Sequence, residues 1–115
     1  MMKIIYYLTS DKKNPVKDFI NSLENKQKAK VFRIFLAIQQ YGLETVVPHI
    51  KKLSGLPLWE IRILGKDNIR IVYLVVDNES ICVLHGFIKK SQKTPERELN
   101  ITLSRYQDWK KVQSK

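Results

Sequence analysis

The sequence predicts an α+β domain built around a mostly antiparallel sheet. Strand-like and helix-like segments follow one another in the order β-α-α-β-β-β-α, and the last three strand-like segments are joined by links of hairpin length. The chain has 115 residues, 43% of them hydrophobic, which is enough for one core and a single domain over residues 1–115. We expect two N-terminal helices to pack on one face of the sheet, with a C-terminal helix on the same face.

The N-terminal part of the chain predicts a strand followed by two helices. Residues 3–9 (KIIYYLT) are rich in β-branched and aromatic side chains, as strands are. Asn14 and Pro15 are typical of a helix start, and apolar residues then recur at i, i+3, i+4 and i+7 from Val16. A second helix is predicted over residues 27–41. Its inward-facing side chains are expected to be Val31, Phe32, Phe35, Leu36 and Ile38.

The C-terminal part predicts three consecutive strands and a final helix. Residues 43–57 contain two prolines and a glycine and are expected to form an irregular connection. The final helix is predicted to start at Thr94 and Pro95, with Glu96 and Glu98 at its positive end. The three strands are expected at residues 58–64, 69–77 and 80–88.

The alternation of apolar and charged residues predicts the register of the first hairpin in this group. Both apolar sets face the helices only if odd-numbered residues pair with odd-numbered residues. That register places Glu60, Arg62 and Arg70 together on the opposite face of the sheet. A two-residue turn at residues 78–79 would bring three more side chains to that face: His85, Phe87 and Lys89.

The charge of the chain indicates an acidic partner. Lysine and arginine total 21 against 11 acidic residues, a formal net charge of +10 with a pI near 9.8. A domain this small would repel itself unless a polyanion or an acidic protein neutralised it in use. The bunched Lys89, Lys90 and Lys93, placed where a strand leaves the sheet, contribute to this excess.

Other classes of protein are disfavoured. The apolar stretches are strand-sized, and the N-terminal one is too short for a secretion signal, so we expect a cytoplasmic protein that does not bind membranes. Cys82 is the only cysteine, and its SICVLHG surroundings are typical of a buried strand. No disulfide or zinc site can be built on it.

Residues 49–105 resemble the RelE/HigB superfamily of bacterial toxins, and most closely its phage-associated HigB-like branch. The resemblance rests on LWEIRI, RIVY and LHGFIKKSQKTP in this order, preceded by the basic step HIKKL. It implies the toxin of a type II toxin-antitoxin system, an endoribonuclease that cuts messenger RNA on the ribosome and needs neither metal nor cofactor. The implied partners are a HigA-like helix-turn-helix antitoxin, messenger RNA and the ribosome, with operator DNA reached only through the antitoxin.

The resemblance implies roles for residues at matching positions. RNA carries its own nucleophile, the 2′-hydroxyl, so the enzyme needs proton transfer and positive charge around the phosphate. Glu60 and His85 are candidates for proton transfer. Four basic residues match the catalytic positions of the pattern: Arg62, Arg70, Lys89 and Lys90. Three more are expected to follow the RNA or ribosomal backbone: Lys51, Lys52 and Lys93.

Structural explanations stay open for several of these side chains. Glu60 would equally serve as an ion-pair partner of a strand arginine, and His85 as a hydrogen-bonded core histidine. Tyr106 is interpreted as core, although several relatives carry a functional tyrosine near the C-terminus. Two other functions fit the same fold: a ParE-like gyrase inhibitor that cuts nothing, and a basic nucleic-acid-binding module. Arg62 and Arg70 favour the nuclease.

Overall fold

The computed structural model describes residues 1–63, 65, 68–90 and 94–113, in which five strands and three α-helices follow one another. The strands are β1 (Lys3–Tyr6), β2 (Ile50–Lys52), β3 (Trp59–Ile63), β4 (Asn68–Asp77) and β5 (Ser80–Lys89). The helices are α1 (Pro15–Asn21), α2 (Asn25–Tyr41) and α3 (Glu96–Gln113). The predicted elements occur in the predicted order, with β2 as an additional strand before the last three. The Asn14 side chain caps α1 by accepting from the Lys17 N–H at 3.1 Å.

The sheet has the strand order β1-β5-β4-β3-β2, with β1 parallel to β5 and every other pair antiparallel. Strand β2 and a 3₁₀ helix over Leu43–His49 lie in the segment predicted to be an irregular connection. A strand of three residues is too short to show an alternating pattern, which explains why the sequence did not reveal it.

The predicted register is confirmed. Odd-numbered residues pair with odd-numbered residues between β3 and β4, and Arg62 lies directly opposite Arg70. Residues 78–79 form a two-residue turn between Asp77 and Ser80. Two irregularities in the β4–β5 ladder shift the register in opposite directions, so that Arg70 still lies opposite Phe87. The residues expected on the face of Arg70 therefore lie there.

Each face of the sheet has its own hydrophobic core. Helices α1 and α2 cover the first face, as predicted, and α3 packs on the other, so the expectation that all helices share one face is wrong for α3. The second core is smaller and contains the buried cysteine. Its buried members are Leu58, Val72, Leu74, Cys82, Leu84 and Phe87.

Two residues of α2 predicted to face inward are exposed. Phe32 is 46% exposed and Leu36 52% exposed, whereas Val31, Phe35 and Ile38 are buried against the sheet. Successive helical residues point about 100° apart, so the neighbours in the pairs 31–32 and 35–36 cannot both point directly at the sheet. None of the described helices combines the length and the apolar character needed to cross a membrane.

Candidate anion-binding site on the sheet

The candidate site lies on the α3 face of the sheet, where cationic side chains come from four strands. Lys51 lies opposite Glu60 across the β2–β3 ladder, and Arg62 lies opposite Arg70 across the β3–β4 ladder. Lys89, opposite Asn68, is two residues along β5 from the partner of Arg70. Strand alternation therefore collects four cationic groups and one carboxylate on a single face.

Arg70 and Glu60 form a buried ion pair at the centre of this face. Arg70 is 7% exposed and Glu60 2% exposed, and 3.5 Å separates the Arg70 Nε from the Glu60 Oε1. The Arg70 Nη1 also donates to the carbonyl oxygen of Ile69 at 3.2 Å. Burial lowers the pKa of Arg70; the Glu60 charge opposes this shift, while the Arg62 charge adds to it.

Three polar atoms of this group are buried without a hydrogen-bond partner among the described residues: Glu60 Oε2, Arg62 Nε and Arg70 Nε. A buried donor that makes no hydrogen bond costs about 1–3 kcal/mol. Like charges directly opposite each other on a sheet are also destabilising, and Arg62 faces Arg70 in that way. An anion whose oxygens accept from the two guanidinium groups would relieve both costs.

A second polar cluster joins β5 to α3 through His85. The His85 Nε2 lies 2.8 Å from Glu98 Oε1, and the His85 Nδ1 lies 2.9 Å from the Arg105 Nη1, which also donates to the Leu84 carbonyl oxygen at 3.0 Å. The His85 ring stacks on Phe87 with 5.4 Å between centroids. Burial lowers the pKa of His85 and the Arg105 charge adds to this shift, whereas Glu98 opposes it.

Beyond Arg105, this cluster connects α3 to Tyr7, the residue that follows β1. The Tyr7 hydroxyl donates to Asp108 Oδ2 at 2.6 Å, and the Arg105 guanidinium lies 5.8 Å from the centre of the Tyr7 ring. Burial, followed by the hydrogen bond to Asp108, raises the pKa of Tyr7 to about 12. Glu98, Arg105 and Asp108 thus attach α3 to the sheet and to Tyr7 at three points along one side of the helix.

The remaining predicted residues occupy different positions. Lys52 lies on the opposite face from Lys51, with its Nζ 5.9 Å from the centre of the Trp59 ring. Lys90 is exposed just beyond the end of β5, and Lys93 lies outside the described residues. Tyr106 is half-buried and packs against the second core, in agreement with its interpretation as core.

Sequence reasoning missed Glu98 and Arg105 as members of the site. Their separation of seven residues places them on one face of a helix, two turns apart, which is the signal that could have identified them. The described residues contain no group of three or more His, Cys, Asp or Glu side chains able to hold a metal ion.

The fold and the basic sheet face together define a small α+β protein of RelE-like topology with a site suited to an anion. The chain belongs to the family described as phage-derived protein Gp49-like (DUF891), whose model matches residues 18–107. This family is part of the RelE/HigB-like toxin group. No curated protein sequence matches the chain.

Proposed function

We propose that this protein is the HigB-like toxin of a toxin-antitoxin system and acts as a metal-independent endoribonuclease on messenger RNA at the ribosome. Its family membership supports the toxin assignment. The observation that carries the nuclease assignment is the opposed pair Arg62 and Arg70, whose buried Nε atoms make no hydrogen bond to the described residues. Two planar, permanently charged guanidinium groups that lie opposite each other can donate hydrogen bonds to two oxygens of one phosphate.

The proposed reaction uses the 2′-hydroxyl of the RNA as nucleophile. Its oxygen attacks the adjacent phosphorus, the bond to the 5′ oxygen breaks, and the products carry a 2′,3′-cyclic phosphate and a 5′-hydroxyl. Arg62 and Arg70 stabilise the charge that develops on the phosphorane, and each such contact contributes about 3 kcal/mol to transition-state stabilisation. Glu60 holds Arg70 in place through the ion pair.

The lysines around the arginines extend the site along the RNA backbone. Lys51 and Lys89 share the face of Arg70, and the exposed Lys90 follows directly after Lys89. Lys52 points to the other face, where it is available to the ribosome or to the antitoxin. The antitoxin is a HigA-like helix-turn-helix protein of acidic character, which balances the net charge of +10.

Expression of the chain without an antitoxin tests this function. Growth should stop, pulse labelling should show protein synthesis falling before DNA synthesis, and primer extension should show new 5′ ends within messages. Early loss of DNA supercoiling with intact messages would instead identify a gyrase inhibitor. Arrest of translation without new RNA ends would identify a binding module that does not cleave RNA.

A further inference from the structure

We infer that Glu98 is the general base of the site, accepting the 2′-hydroxyl proton, and that His85 and Arg105 hold it in position. This inference rests on the proposed nuclease function and assigns a catalytic role that the sequence did not suggest. It follows from the hydrogen bonds of His85, from the exposure of the acidic side chains and from the position of His85 relative to Arg70.

The contacts of His85 fix which of its nitrogens carries the proton. An arginine side chain donates hydrogen bonds and cannot accept them. The Arg105 Nη1, 2.9 Å from the His85 Nδ1, therefore requires Nδ1 to be the accepting nitrogen. The proton then lies on Nε2, which donates it to Glu98 Oε1 at 2.8 Å. His85 is neutral in this arrangement, and neither nitrogen is free to take a proton from a substrate.

Glu60 is also poorly placed for that task. Its carboxylate is paired with Arg70 and, at 2% exposed, is less accessible than that of Glu98. The side chain of Glu98 is 22% exposed, and its Oε1 alone is used by His85. Glu98 also lies in the first turn of α3, at the end of the helix that packs over β5.

The register places His85, the residue that contacts this carboxylate, diagonally next to Arg70. His85 lies opposite Val72, and Arg70 lies opposite Phe87, so His85 and Arg70 occupy neighbouring rows of one face. Diagonal neighbours on adjacent strands lie about 7–8 Å apart, within the reach of long side chains. A phosphate on the arginines would thus bring its 2′-hydroxyl toward the Glu98 carboxylate.

The proton balance of the step is complete. The Glu98 carboxylate takes the proton from the 2′-hydroxyl as the new oxygen–phosphorus bond forms, and the departing 5′ oxygen is protonated by water. Glu98 returns its proton to solvent after the product leaves. His85 keeps its own proton throughout and acts by orienting Glu98, with Arg105 holding the imidazole in one tautomer.

The test is cleavage of messenger RNA on ribosomes by the purified full-length Glu98→Gln chain, because the glutamine amide oxygen still accepts from His85 while the side chain can no longer act as a base. Losing a general base typically costs 100-fold or more in rate. We expect at least a 100-fold slower appearance of 2′,3′-cyclic phosphate ends, with imidazole ¹⁵N shifts that still report the Nε2–H tautomer. The matched control is Glu96→Gln, an exposed glutamate in the same turn, which should cleave at the wild-type rate.

Further variants distinguish a failure of the Glu98 inference from a failure of the proposed nuclease function. Arg105→Lys, a change of a positioning residue, should alter the His85 tautomer populations and slow cleavage less than Glu98→Gln does. Wild-type cleavage by Glu98→Gln, with Arg70→Lys inactive, would overturn the inference and leave the proposed nuclease in place. A slow Glu98→Gln with a changed imidazole spectrum would also overturn it, because Glu98 would then act only by holding His85. Failure of the wild-type protein to cleave messenger RNA on ribosomes would refute the proposed function.

Discussion

Arg70 is held at the site by a balance of unfavourable and favourable interactions. Burial disfavours its charge, the opposed Arg62 repels it, and the Glu60 carboxylate at 3.5 Å offsets part of both effects. Removing one member of a buried ion pair commonly costs about 3–5 kcal/mol, because the other charge stays buried without compensation. Substitutions at Arg70 that test function must therefore keep the positive charge.

The neutral state of His85 predicts that stability depends on pH. Because burial lowers its pKa in the folded chain, the unfolded chain binds more protons as the pH falls through the ordinary histidine pKa of about 6.5. The stabilisation is fully present above that pH and is lost as the pH falls below it. The melting temperature should drop between pH 7 and pH 5, and His85→Gln should make this drop smaller.

The second histidine provides the control for this measurement. His49→Gln replaces an exposed histidine at the end of the 3₁₀ helix and keeps His85, so the drop that His85 causes between pH 7 and pH 5 should remain. Identical melting curves against pH for the wild type and His85→Gln would contradict the assignment of His85 as a buried neutral group.

At the scale of elements, the contact of α1 with β5 depends on the absence of a side chain at Gly86. A Cβ built there would lie 2.5 Å from the Phe19 ring, closer than Cβ atoms approach other heavy atoms. Phe19 cannot easily move away, since it packs against the first core. Gly86→Ala should therefore lower the free energy of unfolding by about 1–3 kcal/mol, measured by urea denaturation.

Gly65→Ala is the matched control for Gly86→Ala. Its Cβ would lie 2.7 Å from the Lys30 Nζ, which is the end of a flexible side chain. The change should therefore cost much less. Equal destabilisation by the two substitutions would show that α1 does not depend on the contact at Gly86.

The sequence predicted the elements and their register, but not which face of the sheet each helix covers. Alternation over residues 59–63 and 69–73 fixes the register, because a slip of one residue would expose the whole apolar set. The pairing of α3 with the second face depends on apolar residues such as Leu84 and Phe87, whose strand is hydrophobic on both faces. A strand buried on both faces gives no alternating signal.

Because the sequence did not show which face α3 covers, it also revealed only part of the candidate site. The placement of Arg62, Arg70 and Glu60 on one face follows from strand alternation, whereas their roles were implied by the family resemblance and stay predictions. The contacts of Glu98 and Arg105 with His85 depend on the packing of α3 over β5, which sequence periodicity does not specify. A site shared by a sheet and a separate helix is therefore predicted only in the part that the sheet contributes.

At the scale of the whole molecule, the net charge of +10 should govern how the chain meets its antitoxin. Charges at the rim of an interface act mainly on the rate of encounter and are screened by salt. The association rate with the antitoxin should fall steeply as ionic strength rises, while the dissociation rate changes little. Stopped-flow measurements over a range of salt concentrations test this. An association rate independent of salt would contradict the claim that the net charge speeds association with the antitoxin.

The most direct test of the proposed site is cleavage of messenger RNA on ribosomes by purified Arg70→Lys, compared with the wild type and with Arg33→Lys. Lysine preserves the charge that Glu60 needs but lacks the planar pair of donors that a phosphate accepts from arginine. Arg33 is exposed on α2, which lies on the other face of the sheet, so its substitution is the matched control. We predict that Arg70→Lys melts within a few degrees of the wild type and cleaves RNA about 100-fold more slowly. A folded Arg70→Lys protein that cuts RNA at the wild-type rate would contradict the account.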